Sequence, residues 1–181
     1  MKVLILNGSP RLKGNTSYAL RTLAEKIKAN TTHEVELIDV ARLKVAGCTA
    51  CCACKKNGGN CVICDDGVAL VNKVYAADAV IFGTPVYWWG MSAQLKSVID
   101  RFYAKSGVFK TMKKQIGLVA VGASGLTNKQ YELIRGQFGC ICDYLGWEIK
   151  FSLSFSASEP GDLRASEKAA SELSDASKLF V

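Results

Sequence analysis

Residues 3–17 read VLILNGSPRLKGNTS, which has the form of a strand, a loop and the start of a helix. The first four residues are continuously apolar, as in a strand that is buried on both faces of a parallel sheet. A loop rich in Gly, Ser, Pro and Asn comes next. A helical repeat then begins, with apolar residues at Leu20, Leu23, Ala24 and Ile27. This stretch therefore predicts the first βα step of an α/β fold.

The alternation continues along the chain and predicts five strands and five helices, with Thr127 as the N-cap of the fourth helix. Ala79–Phe82 and Ile116–Val121 are apolar throughout and predict two more central strands. Glu34–Val40 and Ile149–Phe155 alternate between apolar and polar residues, which is typical of edge strands. The doubly wound order 2-1-3-4-5 places those two strands at the edges. We therefore predict an α/β, flavodoxin-like, doubly wound five-stranded parallel sheet with helices on both faces.

Length and composition favour one globular domain. The chain has 181 residues, of which 49% are apolar and 22% charged, and we expect a single domain over 1–181 with a cysteine-rich loop at about 47–66. No apolar run is long enough for a membrane helix or a signal peptide, which predicts a cytoplasmic protein without a membrane partner. The net charge is +7, yet the longest basic runs are the pairs Lys55-Lys56 and Lys113-Lys114. This favours an anionic ligand over nucleic acid.

The predicted fold binds ligands where the strand order reverses, beyond the carboxyl ends of strands one and three. The first loop there contains Gly8 and Gly14, which allow a tight backbone path, and it precedes a helix whose free N–H groups attract anions. Neither the ending of a Walker loop nor a Gly-x-Gly-x-x-Gly fingerprint is present. The alternative is an ordinary turn with an Asn or Thr cap. The candidate phosphate-binding residues are Ser9, Arg11, Asn15, Thr16 and Ser17.

The second loop at this reversal point reads PVYWWG over residues 85–90. A flat heteroaromatic ring needs an apolar or aromatic wall and a few backbone hydrogen bonds, and this segment offers both. For Trp89, packing in a core or at an interface is an equally good interpretation. Ser124, in the loop after the fourth strand, is a weaker candidate. The candidate ring-binding residues are Pro85, Val86, Tyr87, Trp88, Gly90 and Ser124.

The segments Gly8–Arg11 and Gly14–Ser17 resemble the FMN phosphate loop of the NADPH-dependent FMN reductase superfamily. Thr84–Trp88, with Ser92, Leu95-Lys96 and Ile99–Arg101, resembles the second signature of that superfamily. The resemblance implies FMN as the cofactor, with its phosphate on the first loop and its ring against the second. It also implies a homodimer or homotetramer, with NAD(P)H, ferredoxin or a quinone as electron donor or acceptor.

Cysteine is concentrated in residues 48–64, which hold six of the eight cysteines. In a chain without a secretion signal, such clusters more often indicate metal or redox chemistry than disulfides. Four of the cysteines, Cys48, Cys51, Cys54 and Cys61, are spaced compactly enough to hold a [4Fe–4S] cluster. This spacing resembles the iron–sulfur flavoprotein branch of the superfamily, which implies one-electron exchange between the cluster and FMN, often across a subunit boundary.

Two alternatives for the cysteines stay open. Cys51-x2-Cys54 with Cys61-x2-Cys64 makes a second quartet that could hold zinc, or the thiols bind nothing. Cys52 and Cys64 are interpreted as spare thiols. Cys140 and Cys142 are interpreted as small buried residues.

No side chain is predicted to be catalytic, because a flavin supplies its own chemistry. The single histidine, His33, precedes an edge strand and is expected to have a surface or structural role. The predicted function is an FMN-binding oxidoreductase that passes electrons between a cluster and FMN. One alternative is an NAD(P)H-dependent FMN or quinone reductase without a cluster. The other is a zinc-bound, non-enzymatic module of the same fold.

Overall fold

A computed structural model of the protein describes residues 1–180 and confirms the predicted sheet. Within these residues, five parallel strands form one sheet in the order β2-β1-β3-β4-β5. The strands with alternating sequences lie at its two edges, as the polarity pattern predicts. They are β1 (Lys2–Asn7), β2 (Glu34–Asp39), β3 (Ala79–Pro85), β4 (Gln115–Gly122) and β5 (Glu148–Ser156).

In the described part of the chain, five helices of eight or more residues match the five predicted helical segments. Two further helices have only four residues each, which is too short for a helical period to show in the sequence. The helices are α1 (Asn15–Asn30), α2 (Ala53–Lys56), α3 (Asp66–Ala76), α4 (Ala93–Asp100), α5 (Ser106–Phe109), α6 (Lys129–Leu145) and α7 (Glu167–Ala176). Short 3₁₀ turns at Val40–Arg42 and Arg101–Lys105 come directly after β2 and α4.

Each face of the sheet has its own apolar core. On one face, α3, α4 and α6 pack against the sheet around Phe82 and Phe138, whose ring centroids lie 5.1 Å apart. On the other face, α1 and α7 pack around Leu20, Leu173 and Phe180. The central strands are covered on both sides, which explains why their sequences are apolar throughout.

Of three local predictions, the one for Cys142 is confirmed, and those for Thr127 and Cys140 are wrong. Asn128 rather than the predicted Thr127 caps α6, because its side chain accepts a hydrogen bond from the N–H of Gln130. Cys142 is buried, and desolvation raises the pKa of its thiol to about 12. Cys140 was expected to be buried but is exposed, because residues two positions apart on a helix face opposite sides.

His33 has the structural surroundings expected of it. Its ring lies 3.0 Å from the carbonyl oxygen of Phe180 and 3.4 Å from the amino group of Met1. These contacts tie the start of the chain to the segment after α7. Within residues 1–180, no helix is long and apolar enough to cross a membrane.

Candidate functional site

A pocket of about 180 Å³ lies at the carboxyl edge of the sheet, and we call it the strand-edge pocket. Its walls come from the loops after β1, β3, β4 and β5. Seven of the candidate cofactor residues line it, which brings the two predicted loops together. These seven are Ser9, Arg11, Asn15, Thr16, Pro85, Val86 and Tyr87.

The loop after β1 is held from beneath by Asn7, which is fully buried. Its amide nitrogen donates to Asp39 at 2.8 Å and to Ser17 at 2.9 Å, and its amide oxygen accepts from the N–H of Ser9 at 3.1 Å. The Ser17 hydroxyl donates to the carbonyl of Arg11 at 2.9 Å. Ser17 is also fully buried, so the structure places it under the loop rather than in the pocket wall.

Gly8 cannot carry a side chain in this loop. A Cβ atom there would lie 2.8 Å from the Cβ of Leu95 and 2.9 Å from the carbonyl oxygen of Gly83. The backbone of Gly8 is bonded on both sides: its N–H donates to Gly83 at 2.8 Å, and its carbonyl accepts from the Ser92 hydroxyl at 2.6 Å. The loop after β1 therefore lies directly against β3 and the start of α4.

The amino end of α1 opens into the pocket, and no described side chain caps it. Its N-cap residue is Gly14, and its first turn contains no acidic residue. The N-termini of α3, α4, α6 and α7 are capped by side chains, namely those of Asp65, Ser92, Asn128 and Ser166. The first N–H groups of α1 thus have no capping side chain to accept from them, and together with the helix dipole they attract an anion.

A tight turn of two tryptophans comes after the pocket wall at the end of β3, and we call Tyr87–Gly90 the aromatic turn. The N–H of Tyr87 donates to the carbonyl of Gly90 at 2.9 Å, and the N–H of Gly90 donates back at 3.0 Å. Trp88 and Trp89 have φ angles of +46° and +59°, a region where bulky side chains are strained. Strain of this kind often occurs at functional sites.

Neither tryptophan packs in the core. The side chain of Trp88 is 91% exposed and that of Trp89 is 52% exposed, and their ring centroids lie 5.8 Å apart. Trp88 and Gly90 lie beside the strand-edge pocket and do not line it. The turn thus presents an aromatic surface next to the pocket mouth.

The pocket has two further walls that the sequence analysis largely missed. After β4 it is lined by Gly122 and Ala123 rather than by the predicted Ser124. The hydroxyl of Tyr131 lies 2.6 Å from the carbonyl oxygen of Ser124 and fixes this loop. Burial raises the pKa of that hydroxyl, which keeps it protonated.

The other missed wall is the segment Ala157–Pro160, which comes after β5. Asn15 joins it to α1, because its amide nitrogen donates to the carbonyl of Glu159 at 2.8 Å and its amide oxygen accepts from the N–H of Gly161 at 3.1 Å. The position of β5 in the predicted sheet was the available signal, since the carboxyl ends of parallel strands share one edge.

The cysteine loop, residues 48–64, forms a second and smaller pocket of about 20 Å³, which we call the cysteine pocket. The four cysteines predicted to hold a cluster all line it, as does Cys52, whereas Cys64 is exposed and does not. The sulfur atoms surround the pocket without converging: among residues 1–180, no three His, Cys, Asp or Glu side chains are grouped closely enough to hold a metal ion.

Two of these sulfur atoms receive hydrogen bonds, and at Cys51 these bonds favour the thiolate. The N–H of Ala50 donates to the Sγ atom of Cys48 at 3.4 Å. The N–H of Ala53 and the hydroxyl of Thr49 lower the pKa of the Cys51 thiol. Donors of this kind stabilise the deprotonated sulfur that metals bind, so the set of donor atoms fits a thiolate-ligated metal group.

Arg101 fastens the two ends of the cysteine loop. One terminal nitrogen donates to Ala46 at 3.0 Å and to Asp65 at 2.9 Å, and the other donates to Ile63 at 3.1 Å and again to Asp65 at 3.1 Å. The Arg101 side chain is 1% exposed and that of Asp65 is 12% exposed. We call this buried ion pair, with its bonds to the loop, the arginine clamp.

The clamp changes the titration of both partners. Burial disfavours the Asp65 carboxylate, but hydrogen bonds from Arg101 and from the Ala46 N–H outweigh it and hold the pKa of Asp65 below its usual range. Burial likewise opposes the charge on Arg101, but Asp65, and to a smaller extent Cys61, raise the pKa of the guanidinium. Arg101 therefore stays charged beside the thiols.

A third concavity, an apolar groove of about 540 Å³, lies between the end of α4 and α6. Phe102, Tyr103, Ile141 and Tyr144 are among the residues that line it. Tyr103 also lines the cysteine pocket. The groove and the thiols therefore share a wall.

Comparison with known proteins connects these features to a family. The model of a family described as NADPH-dependent FMN reductase matches residues 1–136. The iron–sulfur flavoprotein MJ1083 of Methanocaldococcus jannaschii is 41% identical over 124 residues, which are 68% of this chain and 63% of that protein. YwqN of Bacillus subtilis, whose name describes an NAD(P)H-dependent FMN-containing oxidoreductase, is 30% identical over 99% of this chain and 97% of its own.

Solved structures show the same fold. An NAD(P)H:quinone oxidoreductase from Methanothermobacter marburgensis superposes with a TM-score of 0.73 over 98% of this chain and 94% of its own, at 18% identity. Against the iron–sulfur flavoproteins, the likeness covers only part of the relatives: the match spans 63% of MJ1083 and 61% of a relative from Archaeoglobus fulgidus.

Proposed function

The chain belongs to the NADPH-dependent FMN reductase family, and on this premise we propose that it is an FMN-dependent oxidoreductase. The observation that carries the proposal is the uncapped amino end of α1, which opens into the strand-edge pocket beside Ser9, Arg11 and Thr16. Such a helix end binds a phosphate monoester well, because its free N–H groups and its dipole favour negative charge. Bound FMN would supply the redox chemistry, and the chain's own residues bind it, orient it and limit access to it.

In this proposal each wall of the pocket has a distinct task. Ser9, Thr16 and the free N–H groups of α1 hold the phosphate, and Arg11 adds positive charge. Asn15 keeps the β5 side closed through its bonds to Glu159 and Gly161. The pocket of about 180 Å³ is smaller than the 300–1,000 Å³ of complete small-molecule sites. Tyr87 and the aromatic turn would therefore hold the flavin ring beyond the mouth of this pocket.

The phosphate assignment is tested by filling the loop. Replacing Ser9 or Thr16 with Phe places a ring where the phosphate would lie, so the purified variants should lose bound FMN. The matched control is Thr32→Phe, at an exposed threonine that precedes β2, where the amino ends of the strands lie. Unchanged FMN content in Ser9→Phe and Thr16→Phe would remove the phosphate site from this loop.

The electron donor in the proposal is NAD(P)H, and the acceptor is a quinone, a free flavin or a protein. The names of YwqN and of the quinone oxidoreductase support this class of partners. A reduced nicotinamide should bleach the flavin band of the anaerobic protein. Bleaching by reduced ferredoxin alone would assign the donor role to a protein.

We further propose that Cys48, Cys51, Cys54 and Cys61 hold a [4Fe–4S] cluster. The four thiols line one pocket, and two of them already accept hydrogen bonds. The curated relatives named iron–sulfur flavoproteins support the same assignment. A bound cluster would supply one-electron chemistry, while the loop and the arginine clamp hold its ligands.

The cluster is tested on protein purified without air, by a visible spectrum together with iron, sulfide and zinc assays. Iron and sulfide near four per chain support the cluster, which needs four thiolates. Replacing Cys54 with Ser should remove them, whereas replacing the exposed Cys140 with Ser should not. Flavin without iron would leave the second candidate function, a reductase without a cluster, and zinc without flavin would overturn the whole proposal.

The protein is also proposed to form a homodimer or homotetramer through the apolar groove. Tyr103 and Tyr144 line it and are 44% and 60% exposed, as in surfaces that another chain covers. Light scattering after size exclusion should show more than one chain per particle. Tyr144→Glu should reduce that number, while Tyr75→Glu, at an exposed tyrosine outside the groove, should leave it unchanged.

A further inference from the structure

Arg101 has one donor that the arginine clamp does not use. Its terminal nitrogens are occupied by Asp65 and by the carbonyls of Ala46 and Ile63. The Nε atom is buried and has no hydrogen-bond partner among the described residues. Buried donors without partners are rare in folded proteins and cost free energy, so such a group calls for an explanation.

The unpaired donor belongs to a side chain in the wall of the cysteine pocket. Arg101 lines that pocket together with Cys61 and the other three cysteines predicted to bind a cluster. Among the described residues, no lysine and no second arginine lines it. The guanidinium is thus the fixed positive charge of this pocket.

Position and charge together suit an anionic sulfur group. Four thiolates around a cluster carry net negative charge, and burying an anion is costly unless a cation or hydrogen-bond donors accompany it. Hydrogen bonds to the sulfur atoms also help to set the reduction potential of a cluster. Asp65 neutralises part of the guanidinium charge, but it accepts hydrogen bonds only from the terminal nitrogens and none from the Nε–H group.

We propose that Arg101 is a positioning residue for the cluster site: its two terminal nitrogens close the cysteine loop, and its Nε–H donates to a sulfur atom of the bound cluster. The inference rests on the proposed cluster and goes beyond it, because it assigns a function to an arginine that binds no iron. Partners of metal ligands of this kind typically change metal affinity by 10-fold to 100-fold when they are mutated.

The test compares Arg101→Lys and Arg101→Gln with the wild-type protein, all purified without air. The lysine variant keeps the charge and removes the Nε donor and the planar fork, whereas the glutamine variant also removes the charge. Arg135→Gln is the matched control, since it removes an exposed arginine charge from α6, at a position that lines neither the cysteine pocket nor the apolar groove. The readouts are iron and sulfide per chain, the rate of iron loss to a chelator, and the midpoint potential of the cluster.

We expect both Arg101 variants to lose iron to the chelator faster than wild type, by about tenfold or more for Arg101→Gln. The midpoint potential should fall in Arg101→Gln, because a positive charge and a sulfur hydrogen bond that favour the reduced cluster are gone. Arg135→Gln should match wild type in all three readouts. Bound FMN and circular dichroism report on folding, since the strand-edge pocket lies apart from the clamp.

The outcomes separate this inference from the proposal beneath it. Wild-type protein without iron, also after reconstitution with iron and sulfide, would overturn the cluster and this inference together. If the wild-type protein holds a full cluster and both variants match it in FMN content, iron loss and midpoint potential, the role of Arg101 alone is overturned. If Arg101→Gln loses FMN as well as iron, its fold is disturbed and Arg101→Lys becomes the deciding variant. An Arg101→Lys protein with the same rate of iron loss and the same midpoint potential as wild type would contradict the inference.

Discussion

The strand-edge pocket and the cysteine pocket are supported by different kinds of structure. Backbone hydrogen bonds between neighbouring strand ends brace the first, including Val86 to Val121 at 2.7 Å and Ala157 to Gly122 at 2.8 Å. The second lies in a loop whose two ends meet at the arginine clamp. Several contacts hold the first site, whereas one buried ion pair joins the two ends of the loop around the second. Single substitutions should therefore affect the two sites unequally.

The clamp should show the largest effect. Arg101→Met leaves the mostly buried carboxylate of Asp65 without a cation, with only the N–H groups of Ala46 and Gly67 as donors. Breaking a buried pair in this way costs about 3 kcal/mol or more of unfolding free energy. Arg21→Met breaks a two-bond ion pair with Asp39 in which the arginine is 46% exposed, and it should cost less than about 1 kcal/mol. Urea unfolding measures both, and equal losses would contradict the unequal support described above.

A smaller effect is expected where the strand-edge pocket is tightest. The Cβ of Gly8→Ala would meet the backbone of Gly83 and the Cβ of Leu95, neither of which can rotate away. The substitution should cost about 2 kcal/mol and weaken FMN binding. Gly136→Ala, in an open position on α6, should instead stabilise by about 0.5–1 kcal/mol. Normal FMN affinity in Gly8→Ala would show that the pocket adapts more easily than its packing indicates.

Substitutions in the aromatic turn should raise the unfolding free energy rather than lower it. Asn-Gly suits a two-residue hairpin turn with two positive φ angles far better than a pair of tryptophans does. Replacing Trp88 with Asn and Trp89 with Gly should raise the unfolding free energy by about 1 kcal/mol or more and weaken FMN binding in titrations of the apoprotein. A stability gain with unchanged FMN affinity would remove the tryptophans from the ring site.

The smallest effect should appear only in acid. The pKa of Asp65 is held below its ordinary value of 3.8, so the stabilisation by this carboxylate is complete above that value and is lost as the pH falls through the lower folded pKa. The stability advantage of the wild-type protein over Asp65→Asn should therefore shrink as urea unfolding is repeated from pH 6 down to pH 3. A pH-independent difference would show that the clamp is not electrostatic. None of the described residues that line the strand-edge pocket is acidic, so that pocket adds no such dependence.

The polarity of whole elements was enough to predict the sheet and to point to the edge where the strand-edge pocket lies. Continuous apolar runs identified β1, β3 and β4 as central, and the alternating runs identified β2 and β5 as edges, which determined the strand order. Seven candidate residues accordingly line one pocket. The five longer helices were also predictable from their apolar repeats, whereas the cap of α6 is Asn128, one residue after the predicted Thr127.

Features that depend on individual contacts were not predictable. Ser17 is the type of residue that donates to a phosphate, but its hydroxyl accepts from the Asn7 amide and donates to the Arg11 carbonyl. Arg101 appeared only as the end of a signature, because its partners lie 36 to 55 positions away in sequence. The positive φ angles of Trp88 and Trp89 contradict local preference, so no pattern of residue types could indicate them.

The second core of the protein draws on residues far from its beginning. Phe151, Phe155, Leu173 and Phe180 cover the inner face of α1, and Ala157–Pro160 closes one side of the pocket, yet all of them lie beyond the matched residues 1–136. The stretch that the family model matches is therefore shorter than the stretch that packs around α1. A chain cut at residue 136 would keep both signature segments and lose part of the hydrophobic lining of α1. The segments that hold the cofactor loops and the segments that cover α1 are thus overlapping but different parts of the same polypeptide.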